Sequence, residues 1–401
     1  MSSVATRSMF GQILSIVSRS EFQGHVRRLR GDKAAKGFTC WEQLVSMLFC
    51  QLAQAKSLRE ICDGLRCCLG KLNHLGIEEG PKKSTLSYAN RNRPWQVFEK
   101  TFYDLLGTCR AVAPGKPFRF KNPLYSLDAT VIELCASVFD WAKYMRTKGA
   151  IKLHLLLDHD GYLPTFAHLT EGKTHEVRVA RTLELPAGSI VAIDKGYHDF
   201  GLYRKWTHAG IWFVTKLKKN ADYRVVERRK VPQHPDVWAD EIIEFSGAAA
   251  KRQGIAGMRF RRIVVWDPDN LEEVVLLSNH LDFGPTTLFR IYKARWKIEE
   301  FFRALKQNLK VRTFVGVNAN AVRIQIWTAL IAMLLLKYLA FKSRLKWALS
   351  NLVALLRWNL FSYRNLWEWL DDPFQTPPAQ EAAEQLLLGL NNLDSIEAVT
   401  S

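Results

Sequence analysis

Residues 124–134 (LYSLDATVIEL), 149–157 (GAIKLHLLL) and 162–169 (YLPTFAHL) are three short stretches rich in apolar and β-branched residues. Stretches of this kind are typical of β-strands. The second and third are separated by DHDG at 158–161, a strong turn signal, so they predict a hairpin. Three strands in succession predict the beginning of a sheet.

Helices and strands alternate after this hairpin. The sequence predicts a short helix at 174–183, a buried strand at 189–194 (SIVAID), a helix at 200–208 and a strand at 211–217. The alternation predicts a mixed α/β sheet. A second β-rich stretch at about 220–285, before the chain returns to helix, predicts an inserted β-rich subdomain.

Residues 1–115 predict an all-helical domain. Apolar residues recur with helical spacing at 38–52 and 57–69. Farther on, the stretch 82–93 (KKSTLSYANRNR) predicts a short helix near 84–92, with Ser84 or Thr85 as its N-cap. Its exposed side chains are of types that reach phosphates and base edges: Ser84, Tyr88, Asn90, Arg91 and Arg93. The pattern is typical of a helix-turn-helix with a recognition helix, although a solvated surface helix would show it too.

The charge of the chain indicates a polyanionic partner. The formal net charge is +18, and the first 120 residues hold 19 Lys and Arg against 9 Asp and Glu. Residues 290–312 hold eight basic residues and two acidic ones. Basic surfaces bind phosphate backbones by releasing counterions, although ribosomal, membrane-surface or heparin-type partners would require a similar charge. Nucleic-acid contacts are therefore expected at the N-terminus and near residue 300.

The C-terminal part, 346–401, predicts a helical region with an acidic tail, because no Lys or Arg follows Arg364. The apolar stretch 324–340 is shorter than the roughly 20 residues of a membrane span and contains Gln325 and Lys337, so a buried core helix is expected. The seven cysteines form no C-x-x-C pair, which favours reduced, buried thiols in a cytosolic protein.

The helix predicted after Pro285 carries four polar residues on one side: Tyr292, Arg295, Glu299 and Lys306. At 100° per residue they fall within a sector about 60° wide, and the apolar residues of the helix fall on the adjoining stripe. One carboxylate among cations and a phenol suits metal-assisted phosphoryl transfer, since the carboxylate holds the ion and the cations position an anionic strand. An ordinary amphipathic helix with i,i+4 ion pairs would show the same periodicity.

These four residues resemble a family signature. The pattern Y-x2-R-x3-E-x6-K characterises the insertion-sequence transposases of family four, and the chain matches all four positions at the family spacing. Upstream, DKGY at 194–197 resembles the family's D-[RK]-G-Y, and LDAT at 127–130 resembles the motif D-[SA]-T. The resemblance covers about residues 120–340, and the N-terminal region also resembles the DNA-binding domain of some members.

The resemblance implies a DDE transposase with an RNase H-like catalytic core at 116–345. It implies that Asp128, Asp194 and Glu299 are the catalytic residues and that they bind two Mg²⁺ ions, for which Mn²⁺ would substitute. The other three residues of the signature would contact the DNA of the transposon end. No nucleotide cofactor is expected, because phosphodiester exchange is nearly isoenergetic.

The implied reaction is metal-dependent cleavage at the ends of an insertion sequence and transfer of the 3′ ends into target DNA. The partners would be double-stranded DNA, as terminal inverted repeats and as target, and a second copy of the chain in a homodimer; no membrane is expected. The protein would act in the bacterial cytoplasm, on the nucleoid. Two alternatives stay open: a catalytically silent, sequence-specific DNA-binding protein, and a nuclease that cuts without joining.

Four other residues need an explanation of their own. Asp199 is placed to cap the helix that follows it. His175 belongs to a Thr-His-Glu stretch where relatives carry Thr-His-Asp, and its role stays open. Trp238 and Trp266 could stack on an unpaired base, but buried core tryptophans are expected.

Overall fold

The structure is a computed structural model of the chain, and it describes residues 7–378 apart from 34, 69, 136–147, 232 and 312. Residues 379–401, which include most of the predicted acidic tail, lie outside the described residues.

Helices form the N-terminal part of the described chain. They are α1 (Met9–Leu14), α2 (Arg19–Arg28), α3 (Cys40–Leu52), α4 (Leu58–Arg66), α5 (Lys83–Asn92) and α6 (Gln96–Arg110). A capping box begins α3: the Thr39 hydroxyl accepts from the N–H of Glu42, whose carboxylate accepts from the N–H of Thr39. Nearly every side chain of α3 is buried, so this helix forms the centre of the helical region.

The described strands join in one nine-stranded sheet of order β3-β2-β1-β4-β5-β9-β8-β7-β6. The strands are β1 (Leu124–Cys135), β2 (Lys148–Asp158), β3 (Leu163–Glu171), β4 (Ile190–Ile193), β5 (Trp212–Lys216), β6 (Tyr223–Arg228), β7 (Val237–Phe245), β8 (Arg259–Asp267) and β9 (Glu272–Ser278). β1, β2 and β3 are antiparallel neighbours, whereas β4 is parallel to both β1 and β5. The predicted hairpin and mixed sheet are confirmed.

Short helices connect the strands: α7 (Glu176–Ala180), α8 (Phe200–His208) and α9 (Ala248–Arg252). The predicted N-cap of α8 is confirmed, because Asp199 Oδ1 accepts from the N–H of Leu202 at 2.7 Å. Between β4 and α8 the chain makes one 3-10 turn, Lys195–Tyr197. This turn and α7 lie at the end of β4 where the site is built.

The β-rich stretch predicted as an insertion is confirmed as strands, but these strands do not form a sheet of their own. β9 pairs antiparallel with β5, so β6–β9 extend the same sheet past its parallel strands. The extension is held by a buried ion pair in which Arg261 donates to both carboxylate oxygens of Asp240, at 2.8 and 2.5 Å. Arg261 also donates to the carbonyls of Leu281 and Phe283, which lead into the next helix.

The last described part of the chain is helical, with α10 (Pro285–Ala294), α11 (Trp296–Asn308), α12 (Ala319–Lys342), α13 (Leu349–Asn359) and α14 (Leu366–Asp371). By length and composition α12 could cross a membrane, yet 78% of its most apolar 18-residue window is buried inside the protein. It packs on α3 and α6 and shares one hydrophobic core with them, so the expected buried core helix is confirmed.

Candidate active site

Two aspartates meet where β1 and β4 run side by side. The parallel register pairs Leu127 with Ile193, so the next residue on each strand is an aspartate, Asp128 and Asp194. Asp194 also caps the 3-10 turn, since its Oδ2 accepts from the N–H of Gly196 at 3.3 Å. Asp128 lies within β1 and Asp194 directly follows β4, so the parallel pairing of these two interior strands brings the first two predicted catalytic residues side by side.

Arg295 joins the third carboxylate to the first. It lies at the junction of α10 and α11, where the single helix predicted from the sequence is interrupted. Its Nη2 donates to Glu299 Oε1 at 2.8 Å, and its Nη1 stands 3.7 Å from Asp128 Oδ2. The guanidinium therefore bridges the two carboxylates, and Asp128, Asp194 and Glu299 lie around one site.

The pKa of Asp128 reflects its burial and the charges around it. It is raised from its usual value of 3.8 to about 6, chiefly by burial and further by the charges of Glu299 and Asp194. The N–H of Ala129, which donates to Asp128 Oδ1 at 2.8 Å, and the charge of Arg295 lower it in part. Burial thus favours the neutral form of this carboxyl more strongly than Arg295 favours the charged form.

Asp128→Asn is accordingly expected to stabilise the metal-free protein at neutral pH. Because the folded-state pKa lies above the unfolded one, the folded protein binds this proton more tightly, and stability falls as the pH rises from about 4 through 6. Asparagine carries no charge, and its Oδ1 can still accept the bond from Ala129. The melting temperature of the variant in EDTA should match wild type near pH 4, exceed it by an amount that grows between pH 4 and 6, and keep a constant excess above pH 6. A difference in melting temperature that is the same at every pH would show that the raised pKa of Asp128 is not its cause.

The remaining residues of the predicted stripe flank the carboxylates. Tyr292 is buried, and its ring lies 5.7 Å from the Arg295 guanidinium and 5.9 Å from the ammonium of Lys216. Lys306 Nζ donates to Thr130 Oγ1 at 2.6 Å and to the carbonyl of Val131 at 3.0 Å. The structure therefore brings the whole stripe to the site, with Lys306 tying α11 to β1.

The donor set suits a hard divalent cation. No group of three or more His, Cys, Asp or Glu within common reach of a metal ion occurs among the described residues. A guanidinium stands between Asp128 and Glu299 instead, in the role of a cation. A glycine, Gly196, leaves open a space beside Asp194 that a Cβ would enter. Carboxylate oxygens are the ligands that Mg²⁺ and Mn²⁺ prefer, so the residues fit such an ion once Arg295 releases Glu299.

The predicted recognition helix differs from its expectation in three respects. α5 begins at Lys83 without a side-chain cap, so neither Ser84 nor Thr85 is its N-cap. It contacts α4, but the connection from 67 to 82 is far longer than the turn of about 3–4 residues in a helix-turn-helix. Asn90 is 1% exposed and accepts from the Gln43 amide at 2.8 Å.

The other residues of this stretch that were predicted to contact DNA are of two kinds, one held within the protein and three exposed. Arg93 is half-buried and donates to the carbonyl of Phe38, so it too is occupied within the helical region. Ser84, Tyr88 and Arg91 are exposed, Tyr88 with 70% of its surface. Only the exposed three keep side chains open to a partner, because Asn90 and Arg93 serve the packing of α5.

Two tryptophans lie on the β extension. Trp238 is 51% exposed and stacks on the half-buried Trp266, with ring centroids 5.4 Å apart. The expectation that both are buried core residues is wrong, because they face outward on neighbouring strands β7 and β8.

The sequence left a fourth acidic residue near the site without a role. Glu176, next to His175 in the Thr-His-Glu stretch, begins α7, which packs against the turn Lys195–Tyr197. His175 itself is exposed. The signal for Glu176 was its place beside a stretch that resembles the family, whereas Lys152, which pairs with it at 3.1 Å, carried no signal.

The amino-acid sequence is similar to known families and proteins. The transposase DDE domain matches residues 119–335, and a domain of unknown function (DUF4372) matches residues 5–78. A protein named as a transposase in Sinorhizobium fredii is 30% identical over 290 residues, which cover 71% of this chain and 79% of that protein. A protein named as the transposase of insertion sequence element IS5377 in Geobacillus stearothermophilus is 24% identical over 326 residues, 81% of this chain and 82% of that protein.

Among solved structures, the piggyBac transposase in its synaptic complex with hairpin DNA aligns with a TM-score of 0.41 and 10% identity, over 93% of this chain and 81% of that one. The match to the DDE domain runs from before β1 to within α12 and so includes every element that carries the site. The chain belongs to the family of transposases with a DDE domain.

Proposed function

We propose that this transposase cuts DNA at the ends of an insertion sequence and transfers the freed 3′ ends into target DNA. The observation that carries the proposal is the arrangement of three carboxylates: Arg295 joins Asp128 to Glu299, and the pairing of β1 with β4 brings Asp194 beside Asp128. The transposase DDE domain matched over the same residues supports it.

Asp128, Asp194 and Glu299 would hold two Mg²⁺ ions, with Mn²⁺ as a substitute. Bound metal supplies activation of a water or 3′-hydroxyl nucleophile and stabilisation of the leaving oxygen. The chain's own contribution is to fix the carboxylates on rigid elements, two on adjacent strands and one on a helix. Arg295, once it leaves Glu299, is free to pair with a DNA phosphate, since a guanidinium binds phosphate in a bidentate manner.

The DNA would be bound by basic residues on both sides of the site. Arg295, Tyr292 and Lys306 would face the transposon end, and the exposed Ser84, Tyr88 and Arg91 of α5 would contact DNA at a distance from the cut. Contacts to phosphates release counterions, so binding should weaken steeply as salt rises.

The chain is divided into three regions according to what their helices and strands do. We infer a DNA-binding region at 1–115, an RNase H-like catalytic domain at 116–345 with its β insertion at about 220–285, and a C-terminal region at 346–401. The strand order β3-β2-β1-β4-β5, antiparallel and then parallel, supports the RNase H-like assignment. The protein would act as a homodimer on paired ends, in the cytoplasm and on the nucleoid.

The experiment incubates the purified chain with a labelled fragment carrying the element's own end, a supercoiled target plasmid, and Mg²⁺ or Mn²⁺. Joined products linking labelled end to plasmid are expected, and EDTA should abolish them. Binding without cleavage in either metal would favour a catalytically silent DNA-binding protein. Cleavage with no joined product would favour a nuclease.

A further inference from the structure

Glu176 lies against the same space as Asp194. A Cβ built on Gly196 would stand 3.6 Å from Glu176 Oε2 and 3.7 Å from Asp194 Oδ2. Both carboxylates therefore face the space above the Gly196 backbone, and the glycine leaves that space open.

Lys152 fixes the other oxygen of Glu176. Its ammonium, largely buried, donates to Glu176 Oε1 at 3.1 Å and to the carbonyl of Thr174 at 3.0 Å. Glu176 Oε2 has no hydrogen-bond partner in the part of the chain that the structure describes. The carboxylate is thus held by one oxygen and presents the other beside Asp194.

Tyr197 gives independent evidence of a ligand in this space. Its side chain is 1% exposed, and its hydroxyl has no hydrogen-bond partner among the described residues. Burial raises its pKa well above the ordinary value, and three nearby carboxylates raise it further, those of Asp128, Glu176 and Asp194. A tyrosine hydroxyl is a hydrogen-bond donor. A buried donor without an acceptor is unfavourable, and a ligand with an acceptor would offset that cost.

We propose that Glu176 is a fourth carboxylate of the metal site, next to Asp194, and that the Tyr197 hydroxyl positions the ligand held between them. That ligand is a hard divalent cation with its bound water, because carboxylates are the ligands such cations prefer and the water can accept the bond from the phenol. Glu176 would touch the cation, whereas Tyr197 is a positioning residue. The inference rests on the proposed metal-dependent function.

The test measures Mn²⁺ binding to the full chain without DNA, by the electron paramagnetic resonance signal of free Mn²⁺. Glu176→Gln is expected to weaken binding about tenfold, the scale of effect seen when residues around a metal site are changed. Glu171→Gln removes an exposed acid at the end of β3 and should leave binding unchanged. Lys152→Met removes the same ion pair but keeps the carboxylate, so it should weaken binding much less than Glu176→Gln.

Tyr197→Phe tests the proposed positioning role of the Tyr197 hydroxyl. Removing a buried, unpaired hydroxyl should raise the melting temperature of the metal-free protein, while Mn²⁺ binding weakens. A purely structural tyrosine would not give these opposite signs. Gly196→Ala should fold normally, since its Cβ meets the two carboxylates at ordinary contact distance, but it should also weaken Mn²⁺ binding by entering the space.

Four outcomes would overturn the proposal. Wild-type affinity in Glu176→Gln, alongside a loss in Glu299→Gln, would remove Glu176 from the site and leave the proposed function intact. Equal losses in Glu176→Gln and Lys152→Met would show that Glu176 only anchors α7. Wild-type protein that binds no Mn²⁺ either alone or together with end DNA, beyond what the DNA binds by itself, would overturn the proposed function and this inference together. If Glu176→Gln fails to melt cooperatively, unchanged Mn²⁺ affinity in both Tyr197→Phe and Gly196→Ala would also overturn the proposal.

Discussion

Glu299→Gln is expected to reduce cleavage at the insertion-sequence end by roughly a thousandfold or more, while binding of the end persists. The change removes a charge that would hold the metal and keeps the shape of the side chain. It also leaves an amide oxygen to accept from Arg295, so α11 should keep its place against β1. Initial cleavage rates of labelled end DNA in Mg²⁺, with binding followed by fluorescence anisotropy, measure both quantities.

Glu300→Gln is the matched control. Glu300 is the next residue of α11, exposed, and paired only with Lys297 at 2.7 Å among the contacts the structure describes. The Glu300→Gln variant should cleave end DNA at the wild-type rate. Equal losses in the two variants would show a general effect of charge on this helix, and wild-type cleavage by Glu299→Gln would remove it from the catalytic site.

Arg261→Met is expected to destabilise the protein by about 3–5 kcal/mol, because it leaves the Asp240 carboxylate buried without its partner. Both side chains of this pair are 3% exposed. Two loop carbonyls, of Leu281 and Phe283, lose their donor as well. Urea unfolding followed by circular dichroism measures the loss.

Two further variants test whether the buried charge of Asp240 causes the loss of stability. Arg259 lies on the same strand as Arg261 and forms an exposed ion pair with Glu227. Arg259→Met breaks that pair and should lower the free energy of unfolding by less than about 1 kcal/mol. Adding Asp240→Leu to Arg261→Met removes the stranded charge and should restore much of the stability. A double variant as unstable as the single one would show that the carbonyls, rather than the carboxylate, cause the loss.

Local patterns predicted the elements of the fold well, because the period of apolar residues and the turn chemistry are properties of neighbouring residues. The helix at 200–208 and its cap at Asp199 follow from such local rules. The pairing of β9 with β5 could not be predicted in this way, since it joins residues such as Val214 and Ser278 that lie far apart in the chain. The stretch at 220–285 therefore predicted strands but not the sheet they complete.

The site likewise has a part that local patterns predict and a part that depends on tertiary packing. Motif spacing and helical geometry predicted Tyr292, Arg295 and Glu299 as one stripe. The bridge from Arg295 to Asp128 depends on how α11 docks on β1, which no local pattern contains. Asn90 was misjudged for a similar reason: its polar type suggested DNA contact, but tertiary packing turned it toward Gln43.

The role of Asp194 as a metal ligand is tested most directly by metal-ion rescue of Asp194→Cys. If Asp194 binds the metal that is needed for cleavage, a thiolate there should disfavour Mg²⁺ and accept softer ions. The variant should cleave end DNA poorly in Mg²⁺ and recover in Mn²⁺ or Cd²⁺ relative to wild type under the same conditions. Cleavage at the wild-type rate in Mg²⁺, or wild-type cleavage that persists in EDTA, would contradict a metal-dependent site built on Asp194.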